Sequence, residues 1–103
     1  MLERSMLDAF AAAVERDPDN RDFRIRYAEA FFDVRKPNWK HAIALWTELE
    51  SGARSALERE LILLQQARVQ IELGRRDQAR KLLQQVNEPS LREARAELMV
   101  RTR

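Results

Sequence analysis

Two glycines and three prolines are the only strong helix breakers in 103 residues. They stand at Pro18, Pro37, Gly52, Gly74 and Pro89 and cut the chain into six segments. Proline inside a helix removes a backbone donor and clashes with the preceding turn, and glycine commonly closes a helix in the left-handed conformation. Between these breakers apolar residues recur at three- and four-residue spacing, as they do along one side of a helix. Sustained two-residue alternation and Asn-Gly or Asp-Gly turns, the signals of strands and hairpins, are missing. The chain is therefore expected to be all-α, with about six helices. Its short connections predict antiparallel neighbours.

The first helix is expected over residues 2–16, with Leu2, Met6, Phe10, Ala13 and Val14 at helical spacing. The turn DPDN follows, and Asp19 or Asn20 is placed to cap the second helix, from Arg21 to about Val34. Asn38 is placed to cap the third, whose stripe is Trp39, Ala42, Ile43, Trp46 and Leu49. Ser55 with Glu58, and Ser90 with Glu93, have the spacing of capping boxes at the fourth and sixth helices. Gly74 is expected to end the fourth helix with a positive φ. The fifth helix is expected over 75–86, and the sixth, after NEPS, over 90–101.

Two kinds of helix alternate. The second and fourth are apolar around much of their circumference, as in LILL at 61–64, which is the pattern of a helix packed on two sides. The first, third and fifth carry one narrow stripe. Met6, Phe10 and Ala13 match Ala42, Trp46 and Leu49, 36 residues on; those match Ala79, Leu83 and Val86, 37 further on. Ala28 matches Ala67 at an offset of 39. Repetition at this length marks stacked helical hairpins.

On these residues the chain resembles the tetratricopeptide repeat family, whose period is about 34 residues. AFAAAVERDPDN is similar to the second helix and closing turn of a repeat. RYAEAFF through HAIALW, and QARVQIELGRRDQARKLLQQV, are each similar to a full repeat. The chain departs from the family at Arg24, where Trp is frequent, and at Gln70, where an aromatic is usual. It also opens on a second-type helix without its partner. The resemblance implies a short solenoid: a first helix 2–16, repeat pairs 21–50 and 55–86, and a closing helix 90–101. DFRIRYAEAFF followed by WKHAIALW also resembles the half-repeat variants of RNA-processing factors.

No chemistry-bearing constellation accompanies this architecture. Cysteine is absent, so no disulfide and no thiolate metal site can form. The acids of DPDNRD lack the glycine and the glutamate that a calcium loop needs at its sixth and twelfth places. His41 is the only histidine and has neither a second metal ligand nor a nucleophile beside it in sequence. Phosphate-binding and nucleophile-elbow motifs are missing. The expectation is a non-enzymatic protein without a cofactor or metal. Neither a signal-peptide core nor a membrane-length apolar run is present, which predicts a cytoplasmic protein with no membrane partner.

The expected role is that of an interaction module or scaffold. In the family the chain resembles, the first helix of each pair lines a concave, peptide-binding surface. Carried onto this sequence, that surface comprises Ile25, Glu29, Phe32 and Asp33 on the second helix, and Leu64, Arg68, Ile71 and Glu72 on the fourth. An apolar floor flanked by carboxylates suits an amphipathic helix or extended peptide with apolar anchors and some Lys or Arg. Residues 1–50 hold eight Lys/Arg and ten Asp/Glu, net −2, whereas residues 51–103 hold eleven and seven, net +4. A net charge of +2 is too small to imply nucleic acid by itself, and nucleic acid is not the expected main partner. The basic cluster Arg75, Arg76, Arg80 and Lys81 nonetheless makes nucleic-acid binding the alternative. Self-association, or a place within a longer solenoid, is a third reading, motivated by the unpaired opening helix.

Overall fold

A computed structural model describes residues 4–103, which form six α-helices and, among the described residues, no strand. The helices are α1 (Arg4–Arg16), α2 (Arg21–Ala30), α3 (Trp39–Ser51), α4 (Ala56–Glu72), α5 (Arg76–Leu83) and α6 (Arg92–Arg101). Two 3-10 turns, Phe31–Asp33 and Pro89–Leu91, follow α2 and precede α6. The expected start of the first helix at Leu2 lies outside the described residues.

The sequence places most caps correctly. Asn20 Oδ1 accepts from the Phe23 amide at 3.1 Å, Asn38 Oδ1 from His41 at 3.1 Å, and Ser55 Oγ from Glu58 at 3.0 Å. Each satisfies one of the amides left free at a helix start. At the end of α4, Gly74 has φ +77°. Its amide donates to Ile71 O at 2.9 Å, and that of Arg75 to Gln70 O at 2.8 Å. This pair of bonds is the Schellman arrangement, which needs a residue that tolerates the left-handed region. Gly52 ends α3 for a different reason. Its φ is −102°, but a Cβ there would lie 2.8 Å from Arg21 Nη1.

Three expectations need correction. The second helix does not continue to Val34 as an α-helix; it tightens to a 3-10 turn at Phe31, which buries that ring before the chain extends at Val34. The fifth ends at Leu83 rather than Val86. Ser90 caps nothing. Pro89 starts a 3-10 turn that buries Leu91, so Ser90 faces outward and α6 begins only at Arg92. The amides entering that turn are met instead by Glu60 of α4, whose Oε1 accepts from Asn87 and, at 3.0 Å, from Glu88.

Side-chain contacts fix the helix directions. Arg21 at the start of α2 donates from Nε to Glu58 Oε1 at the start of α4, at 2.8 Å. Phe32, just past α2, lies under Arg68 late in α4. The ends of α4 and α6 meet through Glu72 and Arg101 at 2.8 Å. So α2, α4 and α6 run parallel. The end of α3 returns to the start of α2, where Arg21 Nη2 donates to Leu49 O at 2.8 Å, and the end of α5 returns to Glu60. Helix α3 thus runs antiparallel between α2 and α4, and α5 between α4 and α6. Helix α1 packs on α2.

Two apolar clusters result. One joins Ala28, Phe31, Ala42, Trp46, Leu49, Ile62 and Val69; the other joins Leu63, Leu64, Ala67, Ala79, Leu83, Val86, Leu91 and Leu98. Helix α4 supplies both. The radius of gyration, 13.7 Å, slightly exceeds the ~13 Å of a compact chain of this length, in keeping with extents of 37 × 30 × 19 Å.

Ala42, Ala67 and Ala79 have no exposed surface. At a close helix crossing a longer side chain has nowhere to go. Ala42→Arg and Ala79→Arg should each destabilise by roughly 3 kcal/mol or more through overpacking and a buried charge, read by urea unfolding. Gly74→Val should cost about 1–2 kcal/mol. Nothing lies within 4 Å of a Cβ at Gly74, so the whole effect is backbone strain. Gly74→Asn should recover part of it.

Candidate interaction face

The parallel helices α2, α4 and α6 present one common side to solvent. On α4, Leu57, Leu61, Leu64 and Arg68 recur at i, i+4, i+7 and i+11 and so share a stripe. Leu57 and Leu61 are 42% and 43% exposed, unusual for leucines in a core-forming helix. Leu61 and Gln65 form a ridge between two clefts. The first, about 180 Å³, lies towards α2 and is lined by Ile25, Glu29, Trp46, Glu58, Leu61, Ile62 and Gln65. The second, about 460 Å³, lies towards α6, with Leu64 and Leu98 in its floor and Arg68, Glu97 and Arg101 in its walls.

The residues carried over from the family pattern distribute unevenly over this face. Ile25 and Glu29 line the first cleft, Leu64 and Arg68 the second. Phe32 is half-buried against Trp39 and Trp46, at ring separations of 5.6 and 6.4 Å. The Arg68 guanidinium covers its remaining face, with Cζ 3.8 Å from the ring centroid, a cation–π contact. Arg68 Nη1 also donates to Gln65 Oε1 at 3.1 Å. Burial holds the Arg68 pKa below its ordinary value, and Arg101 pushes the same way, while Glu72 and Asp33 oppose them. Ile71 packs into the α4–α6 core, and Glu72 is engaged by Arg101. Glu29 and Asp33 remain exposed without an ion pair among the described residues.

The sequence reading missed Leu57, Leu61, Gln65, Glu97 and Arg101. The leucine stripe was visible in ALERELILL. Which of its two apolar sides stays open depends on where α5 and α6 pack.

The alternative basic cluster is partly consumed by the fold. Arg80 donates to Thr102 O and lies 3.5 Å from Asp77; Arg76 donates to Arg103 O at 3.2 Å. Both satisfy carbonyls beyond the last turn of α6. Arg95 does the same for α5, donating to Leu83 O at 2.8 Å. Of the cluster, Arg75 and Lys81 stay exposed without a side-chain hydrogen bond or ion pair among the described residues.

His41 is exposed, packing edge-on to Phe31 and Tyr27 at 5.4 and 6.0 Å. Among the described residues no helix is long and apolar enough to cross a membrane. No family model matches the chain, and neither a curated protein nor a solved structure matches it significantly.

Glu58 ties this face together at its base. Its carboxylate takes Arg21 through Oε1 and the Arg54 amide through Oε2 at 3.2 Å. Those hydrogen bonds, Arg21 foremost, hold its pKa below the ordinary 4.5. A carboxylate with a depressed folded pKa contributes stability above the unfolded value and loses it as pH falls through the folded one. The stability difference between the parent and Glu58→Gln should therefore be constant at neutral pH and shrink progressively below pH 4.5, measured as urea midpoints across an acid series. A pH-independent difference would remove Glu58 from this role.

Proposed function

We propose that the chain is a protein-interaction module of tetratricopeptide type, and that the α2–α4–α6 face binds an amphipathic helix or extended peptide. The observation that carries this reading is Leu61: a large apolar side chain left 43% exposed on a ridge between two clefts whose floors are also apolar. A segment with two apolar anchors one or two turns apart would straddle it, covering Ile25 and Leu61 on one side and Leu64 and Leu98 on the other. Alternation of parallel α2, α4 and α6 with antiparallel α3 and α5 supports the family reading, because stacked hairpins present one helix of each pair on a common side.

Charge selects among such segments. Arg68 and Arg101 are already engaged, by Phe32 and Gln65 and by Glu72, whereas Glu29, Asp33 and Glu97 carry no ion pair among the described residues. The face therefore favours flanking Lys or Arg over acidic residues on its partner. Nucleic acid is the weaker reading, since Arg76 and Arg80 are drawn into capping the end of α6.

Fluorescence anisotropy with designed helical peptides tests the proposal. Peptides with two Leu or Phe anchors and flanking lysines should bind roughly tenfold tighter than those with flanking glutamates, about 1.4 kcal/mol. Glu29→Lys with Asp33→Lys should reverse the order, and Leu61→Asp should abolish both. Binding indifferent to Leu61→Asp would place any site elsewhere.

A further inference from the structure

We propose that copies of this chain associate head to tail, the outer side of α6 in one copy seating in the open groove on α1 and α2 of the next. Three apolar stripes are equivalent in sequence. On α3, Ala42, Trp46 and Leu49 are no more than 2% exposed; along α5 and the turn that follows it, Ala79, Leu83 and Val86 are no more than 3%. Each of these helices lies between two of the parallel helices. The matching residues of α1 are treated differently. Met6 is 46% exposed, and Phe10 and Ala13 are only half-buried. Together with Ala9, Phe23 and Arg26 they line a groove of about 270 Å³ that is almost wholly apolar. Among the described residues α1 has a parallel-class neighbour, α2, on one side alone.

The position left open on α1 is one that α2, α4 or α6 would fill. Helix α6 is the member of that class with a free outer side. Leu91 and Leu98 face the core, and Ala94 and Arg101 face the second cleft. Away from both, Ala96 and Val100 stand one turn apart on the surface. Val100, at 54%, is the most exposed large apolar residue among those described. Helix α6 of one copy thus supplies what α1 of another lacks.

Charge fixes the polarity. Arg26 in the groove wall and Glu93 beside Ala96 are both exposed without an ion pair among the described residues, and their opposite charges attract across a contact of α6 with the groove but not across groove-to-groove or α6-to-α6 contacts. The two surfaces differ, so the contact is heterologous and extends into a chain of copies unless the rotation closes a ring. It leaves the α2–α4–α6 face uncovered and stands independently of the proposed function.

Sedimentation of the full chain over a wide concentration range tests this. The parent's average mass should rise past that of a dimer. Met6→Glu blocks the groove and Val100→Glu the outer side of α6; both sites are exposed, and each variant alone should stay monomeric with an unchanged thermal melt. Mixed in equal amounts they should form a one-to-one dimer and nothing larger, since each retains the surface the other lacks. Arg26→Glu and Glu93→Arg give a second pair, each weakening association alone and restoring it on mixing. A parent monomeric at every concentration overturns the proposal, as does a mixture that stays monomeric. Loss of association in Met6→Glu but not in Val100→Glu would also overturn it, by showing that grooves pair with grooves or with another partner.

Discussion

Helix α4 must bury two opposite sides at once, and the rest of the fold follows from that. Ile62 and Val69 enter the cluster built on α2 and α3, while Leu63, Leu64 and Ala67 enter the one built on α5 and α6. Each fully buried aliphatic side chain contributes on the order of 2 kcal/mol, so leaving either side of α4 open would cost a large part of a small domain's net stability of ~5–15 kcal/mol. Two hairpins that could not hold alone are therefore joined through a shared middle helix. Alanines 42, 67 and 79, fully buried at the crossings, let the backbones approach closely enough for the larger residues to interdigitate.

Polar contacts then set how the hairpins sit on one another. Arginines do much of this work by reaching free carbonyls at helix ends: Arg21 at α3, Arg95 at α5, Arg76 and Arg80 beyond α6. Carboxylates complement them at helix starts and turns, Glu58 at Arg21 and the Arg54 amide, Glu60 at the turn before α6. A long planar guanidinium suits this task because its fork of donors can serve a carbonyl and a carboxylate together, as Arg21 does. Gly52 leaves the room that Arg21 needs. Much of the arginine content that reads as a nucleic-acid signal in the sequence thus serves the fold.

The exposed apolar residues sort by location. Leu57 and Leu61 lie along the α4 stripe of the proposed binding face, Met6 and Phe23 at the α1–α2 end, and Val100 on the outer side of α6. Scattered leucines on a surface need no explanation. Here they fall on the side shared by α2, α4 and α6, in the groove of α1 and α2, and on the outer side of α6.

The sequence by itself determined the six helices, their breakers and most of their caps. These are local properties: a proline's missing donor, an asparagine's reach to an amide three residues on, a glycine's access to positive φ. It also determined which side of α3 and α5 is buried, because a narrow stripe leaves one choice. Only the tertiary structure decided the rest. A helix apolar on two sides, such as α4, does not say which side meets which neighbour, so the open stripe through Leu61 was hidden until α5 and α6 were in place. Ser90 has the spacing of a cap, but Glu60, 27 residues from Asn87 in sequence, satisfies the amides of that turn. Glu72 and Arg68 look alike as free charges in a helix; their fates depend on Arg101 and Phe32, brought to them from other helices. Long-range polar contacts leave no periodic trace along the chain, and for that reason they belong to the fold alone.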